Sequence, residues 1–304
     1  MPDLHGVLLV DKPEGPTSHD IVARARRALG VRRIGHAGTL DPLATGLLVL
    51  MVGKATRLAT LLSGVDKTYR GMLRLGVATE TYDRDGAPLG PARPVDIDRD
   101  TLGAAMRRFE GTVLQVPPAY SAKKVHGTPM YRLARRRRPV VPQAVRVTFH
   151  RIELLGLTGD RVEFEAEVSA GTYLRAFAHD LGEALGCGAH LDSLRRVAAG
   201  PFRVEQAVPA ADLVPEPSLA ARLVPMEEIP LGLPTLTLSP SGLHAIRHGR
   251  PCGLTEVVSP RPPFPPGRCR LKGPEGSLIG IGEIVLASPA EGRPRIRPQI
   301  VFPG

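Results

Sequence analysis

The residues best suited to chemistry lie in a short loop, residues 35–46, which reads GHAGTLDPLATG. The loop has a single acid, Asp41, and runs directly into the apolar residues 47–52. Pro42 fixes its own backbone and favours an extended Asp41, and the glycines allow a close approach of the backbone to a bulky group. A lone carboxylate on a stiffened loop beside a buried strand is a candidate nucleophile. The structural alternative is an Asp-Pro turn in which Asp41 only accepts hydrogen bonds from nearby amides, and on the pattern alone that case is commoner.

Two other residues have positions that suggest a pocket. Alternation in residues 67–76 puts Tyr69 on the same face as Leu73 and Leu75, so its ring points towards a core or a pocket. Arg175 falls in the first turn of a predicted helix, where a cation opposes the helix dipole and gains from a carboxylate partner. A plain core residue is the usual explanation of a tyrosine such as Tyr69.

The loop sequence GHAGTLDPLATGLL resembles, almost residue for residue, the signature of the TruB family of tRNA pseudouridine synthases. Other segments are similar to motifs of that family: KPEGPTS at 12–18, DKTY at 66–69, PPAYSAKK at 117–124 and GTYLR at 171–175. The resemblance covers roughly residues 6–205, and the tail more weakly. The chain departs from the family at Val197, where threonine is usual, and at residues 136–138, which extend a basic run where the family commonly has a glycine.

The resemblance implies an isomerase that converts uridine 55 in the T-arm of tRNA to pseudouridine, with the base flipped out of its stack. The reaction breaks an N–C bond, turns the uracil and forms a C–C bond, without redox change or hydrolysis. No cofactor and no metal are therefore expected. The sequence lacks Cys/His clusters, a P-loop and a dinucleotide fingerprint, which agrees with this expectation.

The same resemblance assigns roles to individual residues. Asp41 is expected to start the cleavage as nucleophile or base, Tyr69 to stack on the flipped uracil and take the C5 proton, and Arg175 to pair with Asp41 and keep it ionised. His36 is expected to hold the extruded nucleotide or fill its place, although a loop histidine is as often a structural hydrogen-bonding residue. Residues expected to bind substrate are His36, Lys12, Gly38, Thr39, Lys67, Lys123, Lys124 and Tyr173, with Lys12 expected at a phosphate.

A basic stretch begins at Lys123 and ends at Arg138, with Tyr131 inside it. Basic residues interleaved with aromatic ones suit contacts to an RNA backbone and its bases. Residues 135–138 are four adjacent arginines, which wrap around a helix and cannot share one solvent-facing stripe. We therefore expect an RNA-gripping insertion at about 117–145, and a solvated helix face is the alternative.

Composition sets the wider limits. The 304 residues carry a formal net charge of +10, which favours a polyanionic partner such as nucleic acid, although arginine enrichment alone can produce the same balance. The cysteines Cys187, Cys252 and Cys269 show no paired spacing, which argues against disulfides and zinc. No apolar run approaches the roughly 20 residues of a membrane span, and no signal peptide is recognisable. We therefore expect a monomeric, cytoplasmic protein that has neither a membrane nor an obligate protein as its partner.

The predicted fold class is α+β, with a central, mainly antiparallel sheet flanked by helices, and it is the pseudouridine-synthase fold that the resemblance implies. Strands are expected at 6–10, 145–155 and 161–168, and a helix from an N-cap at Ser18 to Gly30. A Pro-rich segment, residues 209–234, indicates a boundary near 232. Residues 1–232 would form the catalytic domain and 233–304 a small β-rich domain similar to the PUA-like RNA-binding module.

Three other functions compete with this one. An RNA-binding or RNA-folding protein with a vestigial site is disfavoured, because Asp41, Tyr69 and Arg175 all stand in their motifs. A glycosidase or nucleosidase normally needs two cooperating carboxylates, and the central loop has one. A guide-RNA-dependent relative is disfavoured by the insertion after Pro118 and by the lack of long basic tails.

Overall fold

The computed structural model describes residues 3–119, 124–125, 128–129, 143–260, 263–286 and 293–302. Its helices are α1 (Ser18–Leu29), α2 (Ala59–Ser63), α3 (Arg99–Arg107), α4 (Leu174–Ala184), α5 (Pro217–Ala220) and α6 (Pro240–Arg247). Its strands are β1 (Gly6–Lys12), β2 (Ile34–His36), β3 (Thr45–Val52), β4 (Lys67–Leu75), β5 (Gly111–Gln115), β6 (Lys124–Val125), β7 (Thr128–Pro129), β8 (Val145–Thr158), β9 (Arg161–Val168), β10 (Ala189–Ala199), β11 (Phe202–Arg203), β12 (Val208–Pro209), β13 (Val224–Pro225), β14 (Thr235–Leu238), β15 (Cys252–Gly253), β16 (Val257–Ser259), β17 (Gly267–Lys272), β18 (Leu278–Val285) and β19 (Arg295–Val301).

A large, mainly antiparallel sheet organises the chain, as predicted. Its strand order is β12-β1-β3-β10-β4-β9-β8-β5, with β2, β11 and β13 attached beside this path. The β1–β12 and β3–β10 pairs are parallel. Strand alternation gives the sheet two apolar faces: Leu48 and Leu50 of β3 belong to one buried cluster, and Leu47 and Val49 to another. The first cluster includes residues of α1, α3 and α4, so helices cover that face.

The sheet divides at β3, and this division makes room for a pocket. One edge of β3 pairs with β1 along its whole length, from Gly46 to Val52. The other edge pairs with β10 through Thr45 and Gly46 and with β2 through the residues at its far end. Gly46 has φ +97°, and a Cβ there would lie 2.3 Å from a backbone oxygen of Arg196 in β10. Only glycine, which has no Cβ, allows β3 and β10 to meet at this point. Beyond it, β10 and β2 lie on either side of the central loop.

Helix α1 begins one residue earlier than the sequence suggested. The N-cap is Thr17 and not Ser18, and Thr17 forms a capping box with Asp20. The Ser18 hydroxyl is buried and instead donates to the carbonyl of Leu40 (3.0 Å) and accepts from the Leu40 amide (2.8 Å). The helix ends at Gly30 in the left-handed conformation, as predicted. Ser18 thus ties the start of α1 to the loop that carries Asp41.

A second, β-rich sheet has the order β15-β19-β18-β17-β14-β16 and its own apolar core with α6. Leu278, Ile281 and Phe302 of this part pack into one cluster with Met226 and with the β1 and β3 side chains of the large sheet's second face. Arg270 of β17 donates to the carbonyls of residues 227 and 229 (2.6 and 3.0 Å). The β-rich C-terminal part agrees with the predicted fold class, and the boundary near 232 stays a prediction. Among the described helices, none combines the length and the apolarity that a membrane crossing requires.

Candidate active site

Asp41 and Arg175 form an ion pair although they are far apart in the sequence. Arg175 Nε lies 2.9 Å from Asp41 Oδ2. The side chain of Arg175 is 6% exposed, whereas that of Asp41 is 39% exposed. Arg175 lies in the first turn of α4, and Gln115 fixes the start of this helix. The Gln115 side chain accepts from the Tyr173 amide (2.8 Å) and donates to the Tyr173 carbonyl (3.1 Å). The pair therefore presents an accessible carboxylate on a buried guanidinium.

A second carboxylate, Asp83, binds the same guanidinium. Arg175 NH1 lies 3.3 Å from Asp83 Oδ2 and donates to the Thr81 carbonyl at 3.2 Å. Asp83 is buried, and it accepts further hydrogen bonds from the Thr81 hydroxyl (2.5 Å) and the Asp85 amide (3.1 Å). Asp83 was not among the predicted site residues, because its neighbours Asp85-Gly86 indicate only a hairpin. The buried acid and the accessible acid share one cation.

The loop that carries Asp83 grips α4 at a second place. The ring of Tyr82 stacks on His179, one helical turn beyond Arg175, with the ring centroids 4.0 Å apart and an interplanar angle of 11°. Tyr82 has φ +65°, which is costly for an aromatic residue and persists only where the surrounding contacts enforce it. The two flanking residues, Thr81 and Asp83, are those that bind Arg175. Backbone strain therefore falls on the segment that orients the guanidinium.

A cavity of about 240 Å³ opens in front of the ion pair. Several predicted site residues line it: Gly38, Thr39, Asp41, Lys67, Tyr69, Tyr173 and Arg175. Tyr69 is buried and shares its face of β4 with Leu73 and Leu75, as its alternation predicted. The lining combines the apolar side chains of Leu194 and Tyr69 with the charged groups of Asp41 and Arg175. This combination suits a ligand that has a flat ring with polar edges. The structure thus gathers residues from the central loop, β4, β10 and α4 around one small pocket.

Lys12 has a different place from the one expected of a phosphate ligand. It is fully buried, and its ammonium donates to the carbonyls of Pro13 (2.9 Å), Pro16 (2.8 Å) and Pro42 (3.3 Å). Burial lowers the pKa of Lys12 to about 8, and the nearby Asp41 charge opposes that shift. Three backbone carbonyls occupy the N–H groups of Lys12, so its ammonium ties residues 13–16 to Pro42 of the loop. The expected contact of Lys12 with a phosphate does not fit this buried position.

Lys67 and Arg196 place two buried positive charges next to Gly38 of the central loop. Lys67 donates to the carbonyls of Ser63 and Val65, both at 2.6 Å, and burial followed by the charge of Arg196 lowers its pKa to about 8. Arg196 is 1% exposed, and it donates to the carbonyls of Leu47 (2.6 Å) and Gly38 (3.1 Å), across the gap between β3 and the loop. Arg196 was not among the predicted site residues. The adjacent pair Arg195-Arg196 could have indicated it, because neighbouring side chains of a strand face opposite sides and one of the two arginines must therefore point inward.

His36 lies near the pocket without lining it. It ends β2, opposite Leu50 of β3, and its buried Nδ1 has no hydrogen-bond partner among the residues that the structure describes. Burial lowers the pKa of His36, and Arg196 and His19 add to the shift. This shift favours the neutral imidazole over the protonated one. Its expected role as a contact to the extruded nucleotide stays a prediction.

The predicted RNA-gripping insertion falls largely outside the described residues. Lys123 and residues 130–142, which include the four arginines, are among those not described. The backbone of Lys124 pairs with residue 129 in the short β6–β7 ladder. The roles expected of these basic residues stay predictions.

Sequence comparison assigns the chain to a family. Residues 26–174 match the profile described as "TruB family pseudouridylate synthase (N terminal domain)", and residues 175–229 match "tRNA pseudouridylate synthase B C-terminal domain". The tRNA pseudouridine synthase B of Solibacter usitatus is 41% identical over 93% of this chain and 97% of its own length. That of Opitutus terrae is 45% identical over 74% of this chain and 94% of its own.

Solved structures agree with this assignment. The chain superposes with a TM-score of 0.75 and 28% identity on a chain of a Cbf5-Nop10-Gar1 complex, covering 98% of this chain and 85% of the other. A chain of an H/ACA RNP bound to a substrate RNA containing 2'-deoxyuridine gives a TM-score of 0.74 at 25% identity, over 100% and 91% of the two chains. Two family profiles, relatives that are alike along nearly their full length and a shared fold lead to one conclusion: the chain belongs to the TruB family of pseudouridylate synthases.

Proposed function

We propose that this protein isomerises uridine 55 in the T-arm of tRNA to pseudouridine, and that Asp41 carries the reaction. The observation that supports this most directly is the half-exposed Asp41 carboxylate on the buried Arg175, at the mouth of a cavity of about 240 Å³. The Arg175 guanidinium attracts the negative charge of the Asp41 carboxylate and fixes the direction in which it points. Family membership and the names of the bacterial relatives agree with tRNA as the substrate.

The pocket residues have separable tasks in this reaction. Asp41, as nucleophile or base, starts cleavage of the bond between uracil N1 and ribose C1′, the freed base turns, and C5 bonds to C1′. The proton on C5 leaves and N1 gains one, so the product has the composition of the substrate. Tyr69 stacks on the flipped base and takes the C5 proton. Flipping costs a few kcal/mol, which contacts inside the pocket offset.

The second carboxylate does not favour glycoside hydrolysis. A hydrolase of that kind needs two carboxyl groups that face the same bond. Asp83 is buried and is absent from the residues that line the pocket, and its oxygens bind Arg175, Thr81 and the Asp85 amide. Asp83 therefore supports the position of Arg175 and does not reach the substrate. Release of free uracil from tRNA would contradict this assignment.

The protein is proposed to act as a monomer without a guide RNA, and to aid tRNA folding independently of catalysis. Bacterial synthase B relatives are about 41% identical over more than nine-tenths of the chain, against 28% for the Cbf5 structure. Full conversion of one transcribed tRNA by the purified protein alone would support guide-free action.

The decisive experiment incubates one in-vitro transcribed, unmodified tRNA with the protein and sequences its pseudouridines. We expect a single modified site at position 55. The Asp41→Asn variant, which keeps the shape of the side chain, should bind tRNA like the wild type and form no product. The Asp85→Asn variant, on the exposed hairpin, is the matched control. Turnover by the Asp41→Asn variant would remove Asp41 from the mechanism.

A further inference from the structure

A strongly basic surface lies at the end of β3 remote from Asp41. Residues 21–65 contain seven lysines and arginines but one acid, Asp41, which is occupied in the candidate site. The turn before β2 and the 3₁₀ turn after β3 bring four of these cations to one place: Arg32, Arg33, Lys54 and Arg57. A surface of this kind can be simply solvated, so its shape and its pairing decide whether it binds a ligand.

The surface contains a built recess. A cavity of about 250 Å³ lies there, lined by the basic residues His5, Arg32, Arg33 and Lys54 over the apolar Leu4 and Val31. Gly53 makes the recess possible: its φ is +61°, and a Cβ there would lie 2.3 Å from His5 Nδ1 and from the Leu4 carbonyl oxygen. The Gly53 amide donates to the Arg33 carbonyl at 2.8 Å, which fixes the turn before β2 against the end of β3.

Few acids of the described residues balance the basic side chains of the recess. Within the described part of the chain, no carboxylate pairs with Arg32, Arg33 or Lys54. Arg33 donates only to a neutral hydroxyl, that of Thr56, at 2.6 Å, and both arginines are exposed. Asp3 is an acid near the recess: its carboxylate lies 3.0 Å from the His5 ring, and its side chain is largely exposed. Unpaired cations around one concavity repel one another, and a bound anion relieves that repulsion.

The path of the chain indicates which anion this is. Strand β2 runs from the recess, beside Arg33, to His36 and then into the central loop. Strand β3 runs from the recess back towards Ala44, which lines the pocket, and with a rise of about 3.4 Å per residue its length separates the recess from the pocket by roughly 25 Å. This is too far for the nucleotide in the pocket and suits another part of the same polymer. We propose that the recess binds phosphate groups of the RNA backbone at a distance from the target uridine, an inference that rests on the proposed function.

The test compares the triple variant Arg32→Gln/Arg33→Gln/Lys54→Gln with a control that loses the same charge elsewhere, Arg107→Gln/Arg108→Gln/Arg247→Gln. The three control arginines are exposed and lie at the C-terminal end of α3 and in α6. The dissociation constant for unmodified tRNA is measured over a salt series, together with turnover at saturating tRNA. Each lost phosphate contact lowers the slope of log Kd against log salt by about 0.7–0.9. We expect the recess variant to lose about 2 from this slope, and the control to lose less than half as much. Turnover at saturation should stay within about 2-fold, because the pocket is untouched.

A charge-conserving variant, Arg32→Lys/Arg33→Lys/Lys54→Arg, separates electrostatics from folding and should restore the slope. Repeating the series with the isolated T-arm hairpin locates the contact: a slope loss shared by hairpin and tRNA supports a contact in the T-stem, and a loss with tRNA alone supports one elsewhere in the molecule. An unchanged slope, or an equal loss in the control triple, overturns the proposal. A loss of turnover at saturation without a slope change also overturns it, since that assigns the recess a structural role. Failure of the wild type to bind tRNA would refute the proposed function itself.

Discussion

Asp41 and Asp83 bind the same guanidinium through different nitrogens: Asp41 takes Nε of Arg175 and Asp83 takes NH1. The two acids nevertheless differ in exposure, with the side chain of Asp41 39% exposed and that of Asp83 7%. One is therefore available to a ligand, and the other holds the arginine in place. The position of the accessible acid therefore depends on a cation whose orientation is set by residues 81–83.

Replacing Asp83 by asparagine should impair chemistry more than binding. The variant keeps the shape of the side chain but removes the charge that fixes Arg175 NH1. A hydrogen bond to a charged group contributes about 1.5–3 kcal/mol, so we expect kcat to fall by about 10- to 100-fold. The dissociation constant for tRNA should change by less than about 3-fold. Single-turnover kinetics at saturating enzyme checks this, with Asp85→Asn as control, and equal losses in both variants would exclude a specific role for Asp83.

Replacing Arg175 by lysine should impair activity much more than folding. An ammonium is a point charge and cannot bind two carboxylates and the Thr81 carbonyl in the fork geometry of a guanidinium. We expect kcat/KM to fall by at least about 100-fold. Thermal unfolding should show a folded protein. Near-normal kcat/KM would mean that the positive charge alone, and not its geometry, serves Asp41.

Removing the Ser18 hydroxyl should loosen the loop that carries Asp41. The Ser18→Ala change leaves the buried Leu40 amide without its partner, which costs about 1–3 kcal/mol. Thr17→Ala removes the helix cap instead and costs about 1 kcal/mol, so it is the matched control. Denaturant unfolding compares the two variants. We also expect kcat to fall in Ser18→Ala alone, and equal kcat in both would show that the loop keeps its place without Ser18.

Stability should rise with pH as Lys67 loses its charge. The pKa of Lys67 is about 8 in the folded protein, against an ordinary value of 10.5. Between these values the unfolded chain binds more protons than the folded one, so the free energy of unfolding increases as pH rises. A Lys67→Met variant lacks this contribution. From pH 7.5 to 10, the wild type should gain about 1–3 kcal/mol relative to the variant, measured by denaturant unfolding, since one pKa unit corresponds to about 1.4 kcal/mol. A pH-independent difference would show that Lys67 keeps an ordinary pKa.

Much of the fold could be predicted, because local patterns dominate where the chain is regular. The strand predicted at 161–168 has the same bounds as β9, and α1 ends at Gly30 as predicted. Ser18 was misassigned as the cap, since Thr17 and Ser18 are both good caps and only the packing against Leu40 distinguishes them. Lys12 was expected to contact a phosphate, but it is buried and donates to three backbone carbonyls, of which that of Pro42 is distant in the sequence.

The candidate reactive loop, its single acid and the family of the chain could all be recognised from the amino-acid sequence, because each is encoded in contiguous residues. The packing of distant segments sets three further features: Arg175 binds two carboxylates, Arg196 donates to the carbonyl of Gly38 in the loop, and a basic recess forms at the far end of β3. Each of these depends on side chains from strands and loops that are distant in the chain. Charge pairing and burial act through space, so a local pattern specifies the residue but not the group that it meets.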